Sequence, residues 1–196
     1  CAGGMSGTAE RIAADHMTKN LKRIAILSLA GAALLSVLYI QIASGVLLSL
    51  AITAGTAAYH IVMRLLVGLL FRTVMRNKAD YRKRWYRVGD SEMAVYQKLK
   101  VKKWKSRVPT YDATLFDRRV HTWDEIAQAM CQAELVHETI VVLSFLPILE
   151  GIWFGEYPVF IVTSVSAAAF DMMFVLVQRY NRRRVMGLLE HQRTLK

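Results

Sequence analysis

Residues 24–71 contain a single charged side chain, Arg64, and that block decides most of what the chain can fold into. About 20 largely apolar residues cross the ~30 Å hydrocarbon core of a bilayer, so the block is too long for one crossing. Ala43-Ser44-Gly45 is the natural turn, which predicts helices over 24–42 and 45–71. A second apolar pair follows at 139–154, interrupted by Pro147, and at 159–177, entered after Gly155-Glu156-Tyr157-Pro158. Trp153 and Tyr157 stand where interfacial aromatic residues belong. The expected fold is all-α: an integral membrane protein of about four transmembrane helices in two hairpins, with a basic cytoplasmic segment between them.

Charge agrees with this reading. The net +11 is concentrated: residues 72–107 hold 13 basic and 3 acidic side chains, whereas 139–178 holds only Glu150, Glu156 and Asp171. With 54% hydrophobic residues and a mean hydropathy of +0.27, this distribution excludes a disordered tail, a disulfide-stapled secreted domain and a soluble enzyme. Positively charged loops stay on the cytoplasmic side. Lys19, Lys22 and Arg23, the 72–107 segment, and Arg179, Arg182, Arg183 and Arg184 all fall on one face if both termini are cytoplasmic. His16-Met17 reads as a junction ahead of a natural start, so residues 1–16 are taken as a non-native leader. The first hairpin is then 17–71, the basic aromatic segment 72–122, the second hairpin 123–178 and the basic tail 179–196. Cys1 and Cys131 make no disulfide framework, and no internal repeat is visible.

Thr122-Trp123-Asp124-Glu125 is a capping box, and no Pro or Gly follows until Pro147, which predicts one helix running into the third span. Glu134, His137 and Glu138 share a face of it, directly before the apolar run at Thr139. Arg64 lies eight residues before Arg72, and Asp171 eight before Arg179. Both therefore sit about 12 Å below the same face, and a structural ion pair between them is expected, with His60 one turn deeper. In an antiparallel hairpin "CQAELVHE" (131–138) meets "VQRYNRRR" (177–184) beneath the basic segment. Tyr81, Trp85, Tyr86, Tyr96 and Trp104, interleaved with Lys and Arg, suit an anionic membrane surface. With no binding module present, nucleic acid is not an expected partner. Gly31, Ala32 and Ala33 give the first span a small-residue face suited to another helix, including that of a second copy.

"KVKKWKSRVP" (100–109), "CQAELVHE" and "VQRYNRRR", in that order, resemble the CrtO-like family, whose patterns are a K-W-K segment, A-E-L-[IV]-H-W and Q-R-Y-N-R-P-R. The resemblance runs from about Tyr81 to Leu189; Glu138 stands in place of Trp and Arg183 in place of Pro, and an extra N-terminal span precedes it. It marks Trp104, Lys105, Ala133, Glu134, Leu135, His137, Gln178, Arg179, Tyr180, Asn181, Arg182 and Arg184. It implies a bacterial membrane acyltransferase that moves a fatty acyl group onto a hydroxyl, of the sugar type, of a lipid-like acceptor, as in carotenoid biosynthesis. On that reading His137 is the base and Glu134 its orienter. Trp104, Lys105, Gln178, Arg179, Tyr180, Asn181 and Arg182 bind substrate, the cations holding an acyl-CoA or acyl-carrier-protein donor and Tyr180 or Asn181 the oxyanion. No cofactor is expected. No metal is expected either, because Glu134-x-x-His137 has no second E-x-x-H to complete a di-iron set. Cys131 lies about 120° around the helix from His137, too far for a dyad. The competing reading is a non-catalytic membrane protein that binds anionic lipids or assembles with a partner.

Overall fold

The computed structural model describes residues 3–106 and 113–194, with backbone alone at residues 3–15 and at a few others, Lys105 among them. All regular structure among these residues is helical: α1 (Gly3–Ile42), α2 (Gly45–Met75), α3 (Asp90–Lys98), α4 (Trp123–Leu143), α5 (Gly151–Phe154) and α6 (Tyr157–Thr194), with short 3-10 turns between some of them. Four stretches, Lys19–Ile42, Gly45–Met75, Trp123–Phe154 and Tyr157–Thr194, are long and apolar enough to cross a membrane. The chain is an all-α membrane protein.

Local chemistry sets the helix ends. The first turn falls at Ala43-Ser44, where Ala43 takes the left-handed conformation at φ 51° and donates its N–H to Tyr39 O at 2.7 Å. α2 ends in a left-handed pair, Arg76 and Asn77, and Gln132 Oε1 accepts the Asn77 N–H at 2.6 Å. The capping box forms: Thr122 N–H donates to Glu125 Oε2 at 2.8 Å and Glu125 N–H to Thr122 Oγ1 at 3.3 Å. α4 stops at Leu143, four residues short of Pro147. Pro147 disfavours the α conformation in the residue before it and has no N–H to give, so the chain continues as a 3-10 turn, Leu146–Glu150. α6 continues well beyond the apolar run, carrying the basic 177–184 segment as helix.

The chain forms two compact units. The first holds Leu70–Glu138 and Met172–Lys196. One of its apolar clusters joins Tyr81, Tyr86, Ile126, Met130, Cys131 and Val185, and the other joins Val88, Tyr96, Val101 and Val177. The second unit holds His16–Leu69 and Thr139–Asp171, and it is inverted relative to a soluble domain. Ile26, Ile40 and Leu66 are 65%, 78% and 60% exposed, while Thr56, His60, Ser144, Ser164 and Asp171 are buried. Apolar side chains facing outward match a lipid surround, and polar groups in such a segment face the interior.

The strongest interior contact in this second unit is Arg64 with Asp171. Arg64 Nε donates to Asp171 Oδ2 at 3.0 Å, and its Nη2 bonds the same oxygen. The guanidinium also reaches His60 O at 3.2 Å and Ala167 O at 3.4 Å. Asp171 is 1% exposed, so removing Arg64 strands a buried charge. Arg64→Leu should therefore lower stability by about 3–5 kcal/mol in a detergent unfolding titration, and adding Asp171→Leu should restore most of the loss. Equal unfolding midpoints for the single and double variants would show that the pair does not govern packing.

Candidate functional site

The first unit brings together the three segments that the sequence singled out. From α4, the Glu134 carboxylate enters the interior at 0% exposure. A bare carboxylate there is prohibitive, and two arginines one turn apart on α6 meet it. Arg179 Nη1 donates to Glu134 Oε1 at 2.7 Å, and Arg182 Nη1 donates to Oε2. Arg179 also donates from Nε to Glu92 Oε1 at 2.6 Å and from Nη2 to Oε2 at 3.1 Å, a bidentate grip on the first turn of α3. Its remaining bonds go to Trp85 O at 3.2 Å and Arg87 O at 3.3 Å. Arg182 Nη2 donates to Tyr86 O at 2.6 Å, and its guanidinium lies 5.1 Å from the centre of the Tyr86 ring.

Two carboxylates against two guanidinium groups leave the cluster neutral, with each arginine's donors aimed at protein acceptors. Arg182 is 1% exposed, and its donors serve Glu134 and Tyr86 O. Glu134 turns toward α6 and anchors both arginines. The physical reason is burial: an enclosed carboxylate at this depth takes the strongest cationic partners within reach, and planar guanidinium matches it better than imidazole.

His137 is half-buried, its ring stacked on Phe174 of α6 with centroids 4.4 Å apart and planes 12° from parallel. The contact fixes the plane of the imidazole. Trp85 Nε1 donates to Glu138 Oε2 at 2.9 Å, which gives the residue following His137 its own partner in the basic segment. Trp104 and Tyr180 are partly buried and pack against the Val88, Tyr96, Val101 and Val177 cluster. Gln178 and Asn181 are half-buried on α6, each one residue ahead of an arginine of the cluster. Lys105 lies outside the residues whose side chains are described. Among the described residues no group of three His, Cys, Asp or Glu side chains is arranged to hold a metal ion.

Two participants went unmarked in the sequence, Glu92 and Phe174. A signal for Glu92 existed: Asp80, Asp90 and Glu92 are the only acids in 72–107, and each has a basic residue's group as partner. Asp80 accepts the Arg82 N–H at 3.1 Å, Asp90 pairs with Arg183 at 3.0 Å, and Glu92 holds Arg179. Burial works to raise the Glu92 carboxyl, but its bonds to Arg179 and Tyr96 hold it below the usual carboxylate value. Burial and the bond donated to Glu92 push the Tyr96 hydroxyl up to about 12.

The profile of the CrtO family, described as glycosyl-4,4'-diaponeurosporenoate acyltransferase, matches residues 78–191, more than half of the chain. The match takes in α3, α4 and the α6 arginines, and so the whole of the cluster around Glu134. No curated protein and no solved structure shows significant similarity to the chain.

Removing the Glu134 charge leaves Arg182 buried without its counter-ion. Glu134→Gln should cost about 3–5 kcal/mol in the same unfolding titration. The Glu92 contribution depends on pH. Its folded-state value is depressed, so the stabilisation is present above the unfolded carboxylate value and is lost as pH falls through the lower, folded one. The melting-temperature gap between wild type and Glu92→Gln should be widest near neutrality and close in acid; a gap constant across that range would contradict the assignment.

Proposed function

The chain belongs to the CrtO family, and from that premise we propose that it transfers a fatty acyl group to a hydroxyl, of the sugar type, on a lipid-like acceptor. The reaction takes place at the cytoplasmic interface of a bacterial cell membrane, with both termini on that side and His137 as general base. The observation that carries the reading is the His137 ring, half-buried and held flat on Phe174 within the matched region. His137 lies two residues before the apolar run that starts at Thr139, the level at which an amphiphile offers its headgroup. A neutral imidazole nitrogen takes the hydroxyl proton as the oxygen attacks the carbonyl carbon of a thioester donor. The tetrahedral intermediate collapses with loss of the C–S bond, and the imidazolium returns the proton to the departing thiolate. Loss of such a base typically costs 10²–10⁴-fold in rate.

With Arg179 and Arg182 committed to carboxylates, the donor's phosphates fall to exposed cations of the basic segment, of which Lys98 and Lys102 are examples. That segment equally suits anionic headgroups, the observation behind the competing lipid-binding reading. The readings part at His137. With an acyl-CoA and a glycolipid acceptor, His137→Ala should lose at least about 100-fold in turnover, with its melting temperature little changed. Lipids copurifying with wild type should include the acylated product, and those with the variant should be enriched in free acceptor. Turnover that survives the substitution would remove His137 from the chemistry.

A further inference from the structure

The second unit contains a polar locus of a different kind. α2 and α6 run alongside each other in the same direction: Phe160 shares a groove with Ala51, Ile52 and Thr56, and farther along Arg64 reaches Ala167 and Asp171. That register sets Ser164 at the level of His60. His60 is 5% exposed and Ser164 0%, yet neither ring nitrogen of His60, nor Ser164 Oγ, has a hydrogen-bond partner among the described residues. Neighbouring hydroxyls behave otherwise. Thr56 Oγ1 donates to Ile52 O at 2.7 Å and Ser144 Oγ to Ile140 O at 2.8 Å. The carbonyl that Ser164 would use, Phe160 O, accepts from Thr163 Oγ1 at 3.1 Å. Two unsatisfied buried polar side chains at one level are costly in an apolar segment.

One helical turn away opens a groove of about 290 Å³ lined by Tyr39, Leu48, Ile52, Thr56, Phe154 and Phe160, close to the lower limit for ligand pockets. Thr56 precedes His60 by one turn and Phe160 precedes Ser164 by one turn, so the buried polar pair lies one turn beyond the residues that line the groove. His60 is the midpoint of α2, fifteen residues from either end, which sets it near the middle of a ~30 Å hydrocarbon core. A lipid's headgroup and its esters stay at the surface of that core. We propose that His60 and Ser164 bind an oxygen function, hydroxyl or carbonyl, carried within the chain of a lipid whose apolar length lies in this groove. A neutral imidazole and a serine hydroxyl together offer donors and acceptors for such an oxygen. The inference rests on the reading of the chain as an enzyme of lipid substrates. It assigns chain selection to residues that precede the family match, which begins at residue 78, together with Phe154, Phe160 and Ser164.

The test uses the full chain in nanodiscs of a defined saturated phospholipid and measures equilibrium retention of 10-hydroxyoctadecanoate against octadecanoate. Wild type should hold the hydroxylated chain about tenfold more tightly, the worth of one or two net hydrogen bonds. His60→Leu and Ser164→Ala should each bring the ratio near one without lowering the melting temperature, since each deletes an unsatisfied polar group. If His60→Leu does not fold, Ser164→Ala, which removes one oxygen atom, decides the matter alone. No preference in wild type, or a preference that survives both substitutions, would overturn the site. His137→Ala should leave the ratio unchanged. Turnover without the chain preference would sink this site and spare the acyl-transfer reading, and preference without turnover would do the reverse.

Discussion

The first unit depends on one carboxylate. Glu134 is fully enclosed, and a charge in that position is tolerable only if its partners are already in place. Arg179 and Arg182 supply them from α6, and Arg179 passes the constraint on to Glu92 at the start of α3 and to the Trp85 and Arg87 carbonyls. α4, α6 and the basic segment are thereby fixed to one another through a charge-neutral set of directional bonds. Such networks are high-stakes, because a member left without its partner bears the whole desolvation penalty. Apolar packing alone would hold these elements with far less positional definition, and His137, three residues after Glu134 on the same helix, shares in it.

The two units solve opposite solvent problems with the same residue types. In the first, apolar side chains such as Ile126, Cys131 and Val101 are inside and the described lysines outside. In the second, many leucines and isoleucines lie outside and the interior carries Thr56, His60, Ser144, Ser164 and Asp171. Lipid gives no hydrophobic reward for bringing helices together, so directional polar contacts and close packing must do it. The Arg64–Asp171 pair is the strongest of these, and the Tyr59 hydroxyl, donating to Leu143 O at 2.9 Å, is another.

Much of this was legible in the sequence because it follows from period, length and spacing. The four spans, the turn at Ala43-Ser44, the Thr122–Glu125 box and the matched depths of Arg64 and Asp171 are each set by a local rule acting on neighbouring residues. The identity of an arginine's partner is not local. Arg179 and Arg182 look the same whether they await a phosphate or a buried carboxylate, and only the enclosure of Glu134, a property of three segments packed together, distinguishes the cases. Phe174 was equally silent, one apolar residue in an apolar run whose ring happens to lie flat on His137. The stop at Leu143 was misjudged because Pro147 was read as the break itself, whereas its restriction acts on the residues that precede it.

What separates a structural polar group from a functional one in this protein is satisfaction. Around Glu134 the buried charges are matched by donors in number and geometry. At His60 and Ser164 the same burial is left without partners among the described residues, although the fold had simple remedies: a leucine at 60 or an alanine at 164. A position that keeps an expensive group without the contact that offsets it is one whose partner comes from outside the chain. The inverted interior of the second unit therefore carries two kinds of polar residue, one holding the helices together and the other without a partner among the described residues.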